Sequence, residues 1–165
     1  MSQNEIIKKL KKGDIRSVAR LLTLIENESE EAEDILKEIW KDTGKSYIVG
    51  ITGPPGAGKS TIVDLLAKLA VEKQHKVGVL AVDPTSPFSG GAVLGDRLRM
   101  TSAQNANTFI RSVASRGHLG GLAATTRFMI NAIEMLGNDL TIVETVGAGQ
   151  GDVEIVQIAD TTIVV

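Results

Sequence analysis

Apolar residues along this chain keep two rhythms, and the change between them lays out the elements. Over residues 2–42 the spacing is helical. Ile6, Ile7 and Leu10 make a first short stripe, which Gly13 breaks. Asp14 then stands where it caps a second helix carrying Ile15, Val18, Leu22 and Ile25. Ser29 is placed to cap a third, with Ala32, Ile35, Leu36, Ile39 and Trp40 on one face. From Tyr47 the rhythm shortens. Residues 47–52, 76–82, 108–113, 140–143 and 161–165 are short, β-branched, apolar runs, and each predicts a strand. Helical stripes separate them: Ile62, Val63, Leu65, Leu66, Leu69 and Ala70 after the first strand, then a short helix over 94–106. A third carries Leu122, Thr125, Phe128, Met129, Ala132, Ile133 and Leu136 and is closed by Gly137-Asn138; a fourth covers 153–159. Phe128 and Met129 at that spacing belong to a core. Strands alternating with helices predict an α/β fold with a mostly parallel sheet. Residues 1–44 form a helical extension beside a domain that occupies 45–165.

The join between the first strand and the next helix carries the strongest chemistry. It reads Gly53-Pro54-Pro55-Gly56-Ala57-Gly58-Lys59-Ser60, a complete phosphate-loop motif flanked by the strand and helix that the motif requires. The glycines let the chain curl so that successive amides point at phosphate oxygens. The helix beginning near Lys59 adds its positive end to the same spot. Lys59 reaches the β- and γ-phosphates, and the Ser60 hydroxyl is placed to ligate Mg²⁺. A turn that merely joins strand to helix would not need this full pattern. The fold class is therefore a P-loop NTPase three-layer sandwich, and the site takes a nucleoside triphosphate.

Loops at the carboxyl ends of the other strands add candidate carboxylates, since ligands of a parallel α/β sheet sit there. The second strand delivers Asp83 and a polar loop with prolines and glycines, which suggests a phosphate-sensing switch; the alternative is an Asx turn. Asp96, in the 94–106 helix, either approaches the metal or attacking water or pairs with Arg97 or Arg99 at the surface. The fourth strand ends in Glu144-Thr145-Val146-Gly147-Ala148-Gly149-Gln150. A carboxylate there is what the magnesium side of a phosphate-loop enzyme requires. Glu144-x-x-Gly147 parallels the Asp-x-x-Gly element of GTPases, whose glycine amide meets the γ-phosphate, and Gln150 follows where an amide can orient water. The glycine-rich 115–121 connection fails the phosphate-loop pattern. His75, alone in a turn, is expected to be structural.

Composition narrows the class further. Among 165 residues 42% are hydrophobic but only 3% aromatic, so the core is expected to be aliphatic. A net charge of −2 with no basic face gives no reason to expect nucleic-acid binding. Zero cysteines exclude disulfides and thiolate metal sites and fit a cytoplasmic protein. No apolar run approaches the roughly 18 residues of a membrane span, so no membrane partner is expected.

With these motifs laid out, the sequence resembles the ArgK/MeaB family of P-loop GTPases, the chaperones associated with adenosylcobalamin-dependent methylmalonyl-CoA mutase. The resemblance covers residues 45–165 and rests on the 53–61 loop, Asp83-Pro84-Thr85-Ser86-Pro87-Phe88-Ser89-Gly90-Gly91 through Asp96-Arg97, the 115–121 connection and Val143-Glu144 through Gln150. It implies GTP hydrolysis with Mg²⁺, GTP and GDP as ligands, and a nucleotide state that gates cofactor loading and protection of the mutase. It carries over Lys59 and Ser60 as phosphate and magnesium residues, Asp83, Asp96 and Glu144 as metal-shell or water-activating carboxylates, and a homodimer for the full-length protein. Gly151-Asp152 stands where the family usually has Ser-Glu. The guanine-reading Asn-Lys-x-Asp and the dimerisation segment fall outside the sequence, so this is expected to be the front part of a longer protein. Alternatives are an ATP-dependent kinase, a transport-linked ATPase or a metallochaperone GTPase. The last of these usually shows histidine- or cysteine-rich tracts. Pro54 stands where dimeric spatial-regulator ATPases place a second lysine, which argues against that class.

Overall fold

A computed structural model describes residues 2–83, 107–114, 121–145, 147 and 150–165. Five strands form one sheet: β1 (Tyr47–Thr52), β2 (Val77–Asp83), β3 (Thr108–Ala114), β4 (Leu140–Thr145) and β5 (Thr161–Val164). Their spatial order is β3-β2-β4-β1-β5, and every pairing is parallel. The helices are α1 (Gln3–Leu10), α2 (Ile15–Glu26), α3 (Glu30–Ile39), α4 (Lys59–Glu72), α5 (Gly121–Glu134) and α6 (Gln150–Ile158). The helix expected over 94–106 lies outside the described residues.

Burial on both faces explains why the central strands read as unbroken apolar runs rather than alternating ones. On one face Val49, Ile51, Val77, Val79 and Ile142 pack against Val63 and Ala67 of α4. On the other, Ile48, Leu80, Val82 and Val143 meet Met129, Ile130 and Ile133 of α5 and Ile155 of α6. The α1–α3 layer continues that second cluster, adding Ile6, Leu10, Val18, Leu22, Ile35 and Ile39. Residues on opposite sides of position 44 thus share one core.

Polar ties hold the helical layer in place. Arg111 on β3 donates to Glu26 of α2 at 3.1 Å and to Thr23 at 3.3 Å. Glu134, buried at the end of α5, accepts from the Gly44 amide at 2.5 Å and the Ser46 amide at 2.9 Å, fixing the chain that leads into β1. Asp14 caps α2 as expected, accepting from the Ser17 amide at 2.8 Å. Ser29 is the N-cap of α3, but its side chain makes no capping bond.

Several expected core positions are open. Trp40 is 59% exposed, because α3 ends at Ile39 and the tighter 3-10 turn at Trp40–Asp42 swings the ring off the apolar face. Ile15, Leu65, Leu69 and Phe128 are exposed too. Their stripes are wider than the surfaces that cover them.

Candidate functional site

The phosphate loop leaves β1 at Thr52 and re-enters regular structure at Lys59. Gly58 is the N-cap of α4 at φ +96°, a left-handed conformation that costs glycine nothing and puts the helix amides at the mouth of the loop. Pro54, Pro55, Gly56, Ala57 and Gly58 are exposed, Gly53 and Ser60 half-buried, and Thr61 exposed in the first turn of α4. Lys59 is 7% exposed. Its ammonium donates to the Gly53 carbonyl at 2.8 Å and the Pro54 carbonyl at 3.0 Å, so the cation lies folded across the hollow of the loop.

The β4 terminus meets the loop from the side. The sheet places β4 next to β1, with Glu144 opposite Ile51. Glu144 is buried and accepts from the Ser60 hydroxyl at 2.7 Å. One alcohol and one carboxylate converge there, the hard oxygen donors that Mg²⁺ takes. The donor set therefore fits the metal. Deeper in, Thr145 donates to Thr52 at 3.0 Å, a buried hydroxyl bridge between the two strand ends. Gly147 follows at φ +75°, close enough to the loop that a methyl group there would overlap the Gly53 carbonyl.

Lys59, Ser60, Glu144 and Gly147 thus come together around residues 53–58. Asp83 is the last residue of β2, the strand that neighbours β4, at the same end of the sheet. Gln150 is the first residue of α6. Asp96 lies outside the described residues. His75 sits at the opposite end of the sheet, exposed, with Nδ1 3.7 Å from Asp139 Oδ2.

Two contacts escape sequence reading. The Thr52–Thr145 bridge had a faint signal, a threonine as the last residue of each of the two strands. The other joins elements distant along the chain: Glu154 of α6 accepts from the Ala123 amide, in the first turn of α5, at 2.6 Å. Among the described residues no helix is long and apolar enough to cross a membrane.

Comparison with known proteins gives the same picture. Residues 18–165 match the family described as methylmalonyl Co-A mutase-associated GTPase MeaB. A putative GTPase of Pyrococcus abyssi is 54% identical over 163 residues, covering 98% of this chain and 50% of the relative. A fused isobutyryl-CoA mutase of Geobacillus kaustophilus is 36% identical over 169 residues, covering 96% of this chain and 16% of that protein. A crystal structure of a LAO/AO transport system kinase superposes with a TM-score of 0.76 at 31% identity, covering 99% of this chain and 49% of that one. The chain spans about half the length of the first curated relatives it matches.

Proposed function

We propose, from the premise that this chain belongs to the MeaB family of mutase-associated GTPases, that the protein hydrolyses GTP with Mg²⁺ and acts as a regulatory chaperone of an adenosylcobalamin-dependent acyl-CoA mutase. The observation that carries the reading is the meeting of Lys59, Ser60 and Glu144 at one phosphate loop. A mutase partner is supported by the fused relative, in which a segment like this one shares a chain with an isobutyryl-CoA mutase.

In this proposal the amides of residues 53–61 grip the polyphosphate, and Lys59 leaves the Gly53 and Pro54 carbonyls for phosphate oxygens. Ser60 and Glu144, with Asp83 and Asp96, would hold the magnesium ion or its waters. Bound there, Mg²⁺ neutralises charge that develops on the β- and γ-oxygens. Gly147 presents its amide to the γ-phosphate side, and Gln150 orients the attacking water. The protein is cytoplasmic and dimeric at full length, and binds neither nucleic acid nor membrane.

Lys59→Ala is expected to abolish binding of a fluorescent GTP analogue, because the phosphates lose their one close cation in this loop. Unchanged affinity in that variant sinks the assignment. The likeness to a transport system kinase favours a second reading, phosphoryl transfer from ATP to an acceptor. Phosphate release from GTP with no acceptor present separates the two.

A further inference from the structure

The N-terminal helices and α5 do not close fully on one another. A groove of about 240 Å³ runs between them. Ile25, Ala32 and Leu36, all buried, make its floor, and Phe128, 40% exposed, makes a wall. Glu28 and Glu33 stand on its rim. Small-molecule pockets usually run to ~300–1,000 Å³, so this space suits an inserted side chain better than a free metabolite.

Charge beside the groove is lopsided. Residues 28–38 hold six carboxylates (Glu28, Glu30, Glu31, Glu33, Asp34, Glu38) and one lysine, a balance of −5 in a chain whose total is −2. That lysine, Lys37, is paired with Asp34 at 3.5 Å. Glu30, Glu31 and Glu33 lie in the first turn of α3, where the helix dipole favours them. Asp34 and Glu38 lie beyond that turn and are exposed. The helix alone does not call for so much negative charge.

We propose that this groove docks a cationic amphipathic helix of a partner protein, which sets an apolar side chain against Phe128 while its lysines or arginines face the acidic rim. An apolar trough with a charged border is how helix-in-groove recognition works, with an aromatic anchor supplying affinity and the border supplying steering and orientation. Nucleic acid and anionic lipid carry the sign that this rim repels. The inference stands apart from the nucleotide site and survives if that reading fails.

Its test uses the full-length protein and a fluorescein-labelled lysine/leucine amphipathic peptide of about 15 residues, long enough to be helical when bound. A glutamate/leucine counterpart serves as control. Saturable binding of the basic peptide is expected, with hydrogen-exchange protection over 25–36 and 125–128, and none for the acidic one. Phe128→Ala and the Glu28→Gln/Glu33→Gln pair should each weaken binding by about tenfold, with GDP affinity unchanged. The charge pair is a surface change and keeps the test open should Phe128→Ala fold poorly. Affinity untouched by either variant, or protection elsewhere, overturns the proposal. So does self-association that the same variants abolish, which would make the occupant a second copy offering Lys8, Lys9, Lys11 and Lys12.

Discussion

Gly147 shows how much of this site depends on a single missing side chain. Its φ of +75° is one that other residues rarely adopt, and it brings the chain after β4 onto the phosphate loop at Gly53. Gly147→Ala must open that approach. Phosphate release under single-turnover conditions is expected to slow by about tenfold or more, roughly 1.4 kcal/mol of lost transition-state stabilisation, while GDP binding changes less. Hydrolysis at the wild-type rate would mean that the close approach has no part in the chemistry. Asp14 makes a different residue-scale argument. The Ser17 hydroxyl, at 2.7 Å, and then the Ser17 amide, at 2.8 Å, hold its carboxyl below the ordinary value of 3.8. A depressed folded value means that the unfolded chain takes up the proton more readily, so the cap stabilises above about pH 4 and that stability is lost as pH falls through the folded value. Asp14→Ala should therefore lower the thermal midpoint at pH 6, and the gap from wild type should narrow below pH 4. A gap constant with pH would assign the effect to helix propensity instead.

At the scale of elements, the contact that matters joins two helices through residues 31 positions apart in the sequence. Glu154 of α6 caps the first turn of α5 through Ala123 and, with Ile155 and Ile158, closes a cavity of about 10 Å³ against Val82, Thr126 and Thr145. The helix that follows Gly147 is thereby fastened to the helix on which α2 and α3 rest. Losing a cap costs about 1 kcal/mol, which is ~2–4 °C in thermal midpoint for a domain of this size. Glu154→Ala should show that drop and Glu154→Gln much less, as differential scanning calorimetry can read; equal losses would make the charge, not the acceptor, the stabilising part. No periodicity or motif announces this bond, because it depends on how two helices lie over one sheet. The strands were legible for the opposite reason: runs buried on both faces print their apolar character directly on the chain. So was the phosphate loop, whose glycines and lysine sit close together in sequence. Phe128, Leu65 and Leu69 misled because a stripe tells which face is apolar but not how far its neighbours reach over it. Ser60 and Glu144 could each be picked out as candidates from their motifs, but their 2.7 Å contact needed β4 to lie beside β1.

For the molecule as a whole, the decisive fact is that the N-terminal helices and the sheet bury their side chains in one cluster. Ile6, Leu10 and Leu22 belong to the same packed group as Leu80, Ile133 and Val143, and all six are fully buried. Side chains packed that closely share their fate on unfolding, since opening either layer strips the other of its contacts. The chain is therefore expected to unfold in one transition, and a ligand held at the phosphate loop should stabilise α2 as much as β1. At a GDP concentration of about 100 times its dissociation constant, the gain is ~2.7 kcal/mol. In the full-length protein, native-state hydrogen exchange with Mg²⁺ should show the slowest amides of α2 and of β1 gaining the same protection from GDP, and neither gaining it from ADP. Leu22→Ala, which deletes fully buried atoms, should remove about 2–5 kcal/mol from both regions together. Helices that exchange at lower denaturant than the sheet, indifferent to GDP, would show instead that the extension folds as a unit of its own and carries no word of the nucleotide.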